Sequence, residues 1–111
     1  MLRIWRWLFL SAIVGTSVSA QGDEAGTIQV TIQHHRFEPA EIMVPSGKPL
    51  TLRVRNLDAH AEEFESHLLK VEKVIAGKGE GTIHLHALEP GRYAFVGEYH
   101  SDFARGVLIA E

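Results

Sequence analysis

Cysteine is absent from all 111 residues. Disulfides, thiolate metal sites, iron–sulfur clusters and a cysteine nucleophile are thereby excluded. Positive charge is scarce too. Eleven Lys and Arg face fourteen Asp and Glu, for a net charge of −3. Without Arg3 and Arg6, which lie in the leader described below, nine bases against fourteen acids leave −5. A domain with that balance has no electrostatic footprint for nucleic acid. Also lacking are a phosphate-cradling glycine loop and a nucleophile elbow: residues 77–81 (GKGEG) open no helix, and neither Ser46 nor Ser66 sits in an elbow pattern. No internal repeat or low-complexity segment is present.

What is there begins with a leader. Arg3 and Arg6 precede an apolar run over residues 7–14, and Val18-Ser19-Ala20 ends in small side chains. This is the pattern of a secretory signal peptide over residues 1–20, and the run is shorter than the roughly 20 apolar residues a membrane span needs. A charged, Gly-rich stretch (QGDEAG) follows at residues 21–26, which favours cleavage after Ala20 over retention as an anchor. The mature chain is therefore expected to work outside the cytoplasm. One domain over residues 27–111 remains, large enough to build a core without cross-links.

That domain reads as all-β. Residues 27–33 (TIQVTIQ) and 50–55 (LTLRVR) alternate apolar and polar side chains, the signature of half-buried strands. Shorter strands are expected at 42–44, 70–75, 82–88, 93–96 and 107–110. The Pro- and Gly-bearing stretches 45–49 and 76–81 punctuate them. Met43, between Ile42 and Val44, is assigned to the core. Residues 60–69 could hold a helical turn but are too short to set the fold. Short strands divided by turns predict a Greek-key β-sandwich. Leu88-Glu89-Pro90-Gly91-Arg92-Tyr93 is similar to the tyrosine corner of such sandwiches.

Seven histidines is a high count for so short a chain. Two expected loops collect the metal-capable groups: residues 56–67 (NLDAHAEEFESH) and 97–103 (GEYHSDF). If the first runs extended, His60, Glu62 and Phe64 share a face and Glu63 and Glu65 point the other way. Phe64 belongs in the core, so His60 and Glu62 are both expected to face inward at one end of the sandwich. Carboxylate and imidazole without thiolate suit copper, iron, manganese or zinc. The plainer alternatives stay open: an acidic run is commonly a solvated face, and a loop histidine is commonly only polar. The pair His34-His35 is assigned to the surface at a strand end, and His84 and His86 to the solvent face of their strand.

The strings VPSGKPLTLRVRN, EEFE, LEPGRYAFVGEYH and GVLI together resemble the cupredoxin family, from about residue 27 to residue 111. The resemblance implies a metal site in which Glu62 stands at the first His ligand, Gly97 at the Cys, His100 at the second His, and Arg105 near the Met. A blue-copper centre needs the thiolate, so that function is excluded. The combination of EEFES with GEYH is closer to the periplasmic cupredoxin-like component that accompanies bacterial iron-permease systems. That resemblance implies a copper or iron ion as cofactor. It implies a periplasmic iron-binding protein or a membrane iron permease as partner. Glu62, Glu98 and His100 are the expected ligands, with His60 and Glu63 in reserve and Tyr99 or Asp102 supporting them. Plain metal binding is favoured over ferrous-iron oxidation, because a lone domain without cysteine has no thiolate-linked centre to receive the electron. A third reading is a metal-free sandwich that docks a partner through Tyr99 and Phe103.

Overall fold

The computed structural model describes residues 26–111. The expected signal peptide, residues 1–20, and residues 21–25 lie outside the described residues. Nine strands follow in order: β1 (Thr27–Gln33), β2 (Arg36–Glu38), β3 (Glu41–Val44), β4 (Leu50–Asn56), β5 (Glu62–Ser66), β6 (Val71–Ile75), β7 (Glu80–Leu85), β8 (Gly91–Gly97) and β9 (Arg105–Ala110). One 3-10 turn, Glu98–His100, leads out of β8.

The strands form two sheets, β2-β1-β4-β7 and β3-β9-β8-β5-β6. β1 pairs β4 in parallel, and β3 pairs β9 in parallel; the remaining pairs are antiparallel. Consecutive strands therefore switch repeatedly between sheets, as a Greek-key sandwich requires. Alternation along each strand decides what faces inward. Val30 and Ile32 of β1, Leu50, Leu52 and Val54 of β4, Ile83 and Leu85 of β7, Phe95 of β8 and Leu108 of β9 fill the interior.

Three aromatic rings close the core at the end where the site lies. Phe64 and Phe95 stack with centroids 4.8 Å apart, and Phe37 meets Phe95 edge-on at 4.9 Å. Each ring is two residues from a group of the site: Phe37 from His35, Phe64 from Glu62, Phe95 from Gly97. With a side-chain period of two, burying Phe64 and Phe95 puts Glu62 and Gly97 on the inner face of their strands, whereas His35 lies on the turn before β2, outside that alternation.

Most expected strands are present, with four corrections. Residues 62–66 form β5 and not a loop, because Glu62, Phe64 and Ser66 are all buried on its inner face. Residues 36–38 form a strand that was not anticipated; it is short but carries Phe37 into the core. β7 ends at Leu85, and Ala87 is exposed. Met43 is 55% exposed and not in the core. Ile42 and Val44 take the inner face of β3, so pleating sends the residue between them outward. The tyrosine corner is present: the Tyr93 hydroxyl donates to the carbonyl of Glu89 at 2.7 Å.

Candidate metal centre

β5 begins with Glu62, which is 1% exposed. A carboxylate so deep must be satisfied by donors, or it costs several kcal/mol. Three are in place. Oε1 accepts the backbone amides of Glu63 at 3.0 Å and Tyr99 at 2.8 Å. Oε2 lies 2.7 Å from Nδ1 of His100. One hydrogen occupies that last contact, at the length expected of a charge-assisted bond.

The segment that delivers His100 is a closed loop. Gly97 donates its amide to the carbonyl of Ala104, and the amides of Phe103 and Ala104 both reach the carbonyl of His100. Arg105 fastens the same loop from outside, donating Nε to the carbonyl of Ser101 at 2.8 Å. The arginine near the expected Met position is thus a loop brace.

Gly97 explains how the carboxylate fits. A Cβ there would fall 2.6 Å from Cδ of Glu62 and 2.7 Å from Cβ of Ala104. Contacts under 3.0 Å force something to move. The space beside Gly97, where the cupredoxin pattern calls for a cysteine, is filled by the Glu62 carboxylate. The chain has no cysteine, so a blue-copper ion does not fit this site. The donors present are one carboxylate oxygen and one imidazole nitrogen, a set suited to thiolate-free first-row ions. As they stand the two atoms share a hydrogen bond at 2.7 Å.

One residue assigned to the surface by sequence, His35, also reaches this end. The ring of His35 stacks on the ring of His100, with centroids 3.7 Å apart and planes 14° from parallel. His35 stands on the turn between β1 and β2, where both His34 and His35 have positive φ, 56° and 57°. Histidine tolerates this region better than most residues, though it remains uncommon. Asp58 holds the turn: its two carboxylate oxygens accept the amides of His34 at 2.8 Å and His35 at 2.9 Å. Shielding from water would raise the Asp58 carboxyl. The two amides and the nearby imidazoles outweigh that effect and hold it below the usual carboxylate value. Asn56, fully buried, sets the Asp58 loop by accepting the Asp58 amide and donating to the carbonyls of His60 and Ile75. Arg36 lies over the ring of Phe103, 5.9 Å from its centroid, and links the same turn to the His100 loop.

The expected ligands therefore divide. Glu62 and His100 come together. Glu63 reaches Glu62 only through its backbone amide. His60 is exposed and engages Asn56 through its carbonyl. Glu98 is exposed and lies beside Glu65, where the two carboxylates and Glu72 share the outer face of the sheet. Tyr99 contributes its amide while its side chain is exposed, and Asp102 is exposed. Among the described residues, no three His, Asp or Glu side chains stand converged on one point. The Asn-Leu-Asp sequence next to β4, with its short side chains able to cap amides, was the available signal for the clamp.

The comparisons agree with the architecture. The cupredoxin-like domain family matches residues 4–110. An uncharacterized protein of Rickettsia prowazekii (strain Madrid E) is 38% identical over 82 residues. That match covers 74% of this chain and 66% of the relative, so the chain spans just under two thirds of its length. A structure of reduced amicyanin superposes with a TM-score of 0.64 at 21% identity, covering 80% of this chain and 86% of the other. Auracyanin A, a "blue" copper protein of Chloroflexus aurantiacus, gives 0.64 at 15% identity, covering 77% and 98%. A chain of a heme-copper terminal oxidase gives 0.65 at 15% identity, covering 86% and 76%. Identities this low establish the shared fold alone. With its family matching nearly from end to end, the chain belongs to the cupredoxin-like domain family.

Proposed function

We propose that this chain is a thiolate-free metal-handling cupredoxin-like protein of the periplasm, which takes a copper or iron ion at Glu62 and His100. The observation that carries the reading is the 2.7 Å contact between a fully buried carboxylate and an imidazole at the sandwich end. A carboxylate placed only for packing would more simply be an apolar residue, since buried ion pairs rarely stabilise better than well-packed hydrophobes. Uptake of an ion replaces the hydrogen held between Oε2 and Nδ1, so binding releases a proton and weakens at low pH. Two protein donors leave positions free on the ion, which suits a carrier that receives and passes on its cargo. The receiving partner is a periplasmic iron-binding protein or a membrane iron permease, by resemblance to the iron-permease accessory proteins.

Titration with Cu(II), and with Fe(II) under anaerobic conditions, tests the reading. Stoichiometric binding lost in Glu62→Gln/His100→Ala and kept in Glu98→Gln is the expected result. Equal affinity in the parent and the double variant overturns it. Oxygen uptake in an aerobic Fe(II) arm separates oxidation from binding.

A second reading rests on Tyr99 and Phe103, which are 52% and 55% exposed beside the site. Exposed aromatics of this kind anchor protein interfaces, and a metal-free sandwich could dock a partner through them. Metal analysis of protein taken from its native compartment decides: substoichiometric metal under replete conditions favours docking.

A further inference from the structure

We propose that the outer face of the five-stranded sheet docks a second copy of this chain, in a weak two-fold dimer built on β8, β9 and β5. The proposal stands apart from the metal reading, and its test uses metal-free protein.

The two sheets obey the same alternation yet finish their outer faces differently. On the four-stranded sheet the register sets Gln29, Arg53 and Thr82 side by side, and next to them Thr31, Arg55 and Glu80. Its strands turn no aliphatic or aromatic side chain outward. On the five-stranded sheet, Met43 of β3 lies beside Ile109 of β9, Val107 of β9 lies beside Ala94 of β8, and Val96 follows on β8. Met43 and Ala94 are exposed, and the other three are half-buried. Pleating asks only for polar residues here, so a connected apolar patch on three adjacent strands marks an interaction surface. A groove of about 270 Å³ extends it, between Leu68 of the β5–β6 hairpin and Ala94 and Val96.

Charge names the occupant. In one row across the sheet, Arg105 of β9 stands on one side of Val96, and Glu65 of β5 and Glu72 of β6 stand on the other. Glu98 adds a third carboxylate beside Glu65. Shielding from water, then Glu98 and Glu72, raise the Glu65 carboxyl, and no cation offsets them. A face with opposite signs on the two sides of one strand is complementary to itself. A two-fold axis along β8 lays β9 of each copy over β5 of the other. Arg105 then faces Glu65 of the second copy, and the pair occurs twice. Ala94 and Val96 meet their own counterparts, and Val107 falls over the groove beside Leu68. Glu41 of the edge strand β3 comes toward the second copy's Lys70, which lines the outer side of the hairpin with Glu65 and Glu72. Arg92 is the one residue set against its own kind. It is exposed at the far end of β8, where its long stem leads to solvent.

The size of the face sets the strength. Five strands about 4.8 Å apart, with about six residues each, give a flat footprint of roughly 400 Å² per copy. The total of roughly 800 Å² is below the roughly 1,200–2,000 Å² of a stable complex, so the dimer forms and parts with concentration.

Sedimentation equilibrium at low salt, from about 10 μM to about 1 mM protein, tests this. The parent's average mass is expected to rise from one copy toward two. Ala94→Lys, which sets two cations face to face on the axis, should weaken association at least about tenfold. Thr82→Lys, on the polar outer face of the other sheet, should associate as the parent does. Glu65→Lys and Arg105→Glu should each be monomeric alone and pair when mixed, because the swap restores both contacts. NMR of the parent on dilution gives a readout free of substitutions: the amide signals of Ala94, Val96 and Val107 should move and that of Thr82 should not. Ala94→Lys and the dilution shifts decide the matter even where Arg105→Glu, which loses a loop brace, fails to fold. A parent that stays monomeric at about 1 mM overturns the proposal and leaves the face to a different protein. Parent-like association in Ala94→Lys also overturns it. If that association is lost in Tyr99→Ala/Phe103→Ala, the copies meet at the end of the sandwich and not on its face.

Discussion

Glu62 and Glu65 are the same residue type on one five-residue strand, and they lead opposite lives. Glu62 faces the interior, meets three donors and is walled by the bare Cα of Gly97. Glu65 faces outward across from Glu72 on the next strand, with Glu98 beside it. One carboxylate is surrounded by hydrogen-bond donors and the other by like charges. Strand pleating alone puts them on opposite faces, since they are an odd number of positions apart. The acidic run thus contains one site residue and one ordinary surface residue, and only the neighbours distinguish them.

Replacing each by alanine breaks that comparison most directly. Glu62→Ala, in metal-free protein, removes the acceptor for two amides and the partner of His100, and opens a cavity beside Gly97. A loss of about 3 kcal/mol is expected, read as a lower urea midpoint with an unchanged slope. Glu65→Ala should lower the midpoint not at all. Comparable losses at the two positions would mean that Glu62 is no more integrated than a surface acid.

The next effect sharpens the role of Gly97. Gly97→Cys forces a Cβ into the Glu62 carboxylate, and overpacking of this kind costs about 1–3 kcal/mol. Combined with Glu62→Ala, which removes the carboxylate and leaves only the Ala104 Cβ contact at 2.7 Å, the same substitution should cost less. A double-mutant cycle is expected to show coupling of at least about 1 kcal/mol. Additive losses would show that the carboxylate does not fill the space of the missing thiol side chain.

Much of this architecture could be read before the structure. The alternation of residues 27–33 and 50–55 corresponds to β1 and β4, because strands with one wet face write their period into the sequence. Phe64 is so strongly apolar that it orients Glu62 inward by parity. Met43 was misplaced because its apolar neighbours outweighed the pleat that separates them. The contact of His35 with His100 was invisible for a different reason: it joins residues 65 positions apart, through a turn shaped by Asp58 from a third place in the chain. Periodicity reports which face a residue takes. It does not report which loops meet at the end of a sandwich. The same gap placed Glu98 among the expected ligands, whereas the 3-10 turn sets it beside Glu65 on the outer face.

The smallest effect concerns that outer face and its response to pH. Shielding from water raises the Glu65 carboxyl, and Glu98 and Glu72 raise it further. A carboxyl whose folded value lies above its unfolded value binds its proton more tightly in the native state. Its ionisation therefore works against folding, fully so at pH above the raised value. That cost shrinks as pH falls through the raised folded value, and it is gone below the ordinary carboxylate range, where both states are protonated. Glu65→Gln removes the charge without changing shape. A small rise in thermal midpoint is expected at pH 7 and low salt, fading on acidification and in high salt, because exposed like-charge pairs on neighbouring strands are weak and screened. A rise that persisted at pH 3, where the parent carboxyl is already neutral, would assign the gain to side-chain packing and not to relief of the charge cluster.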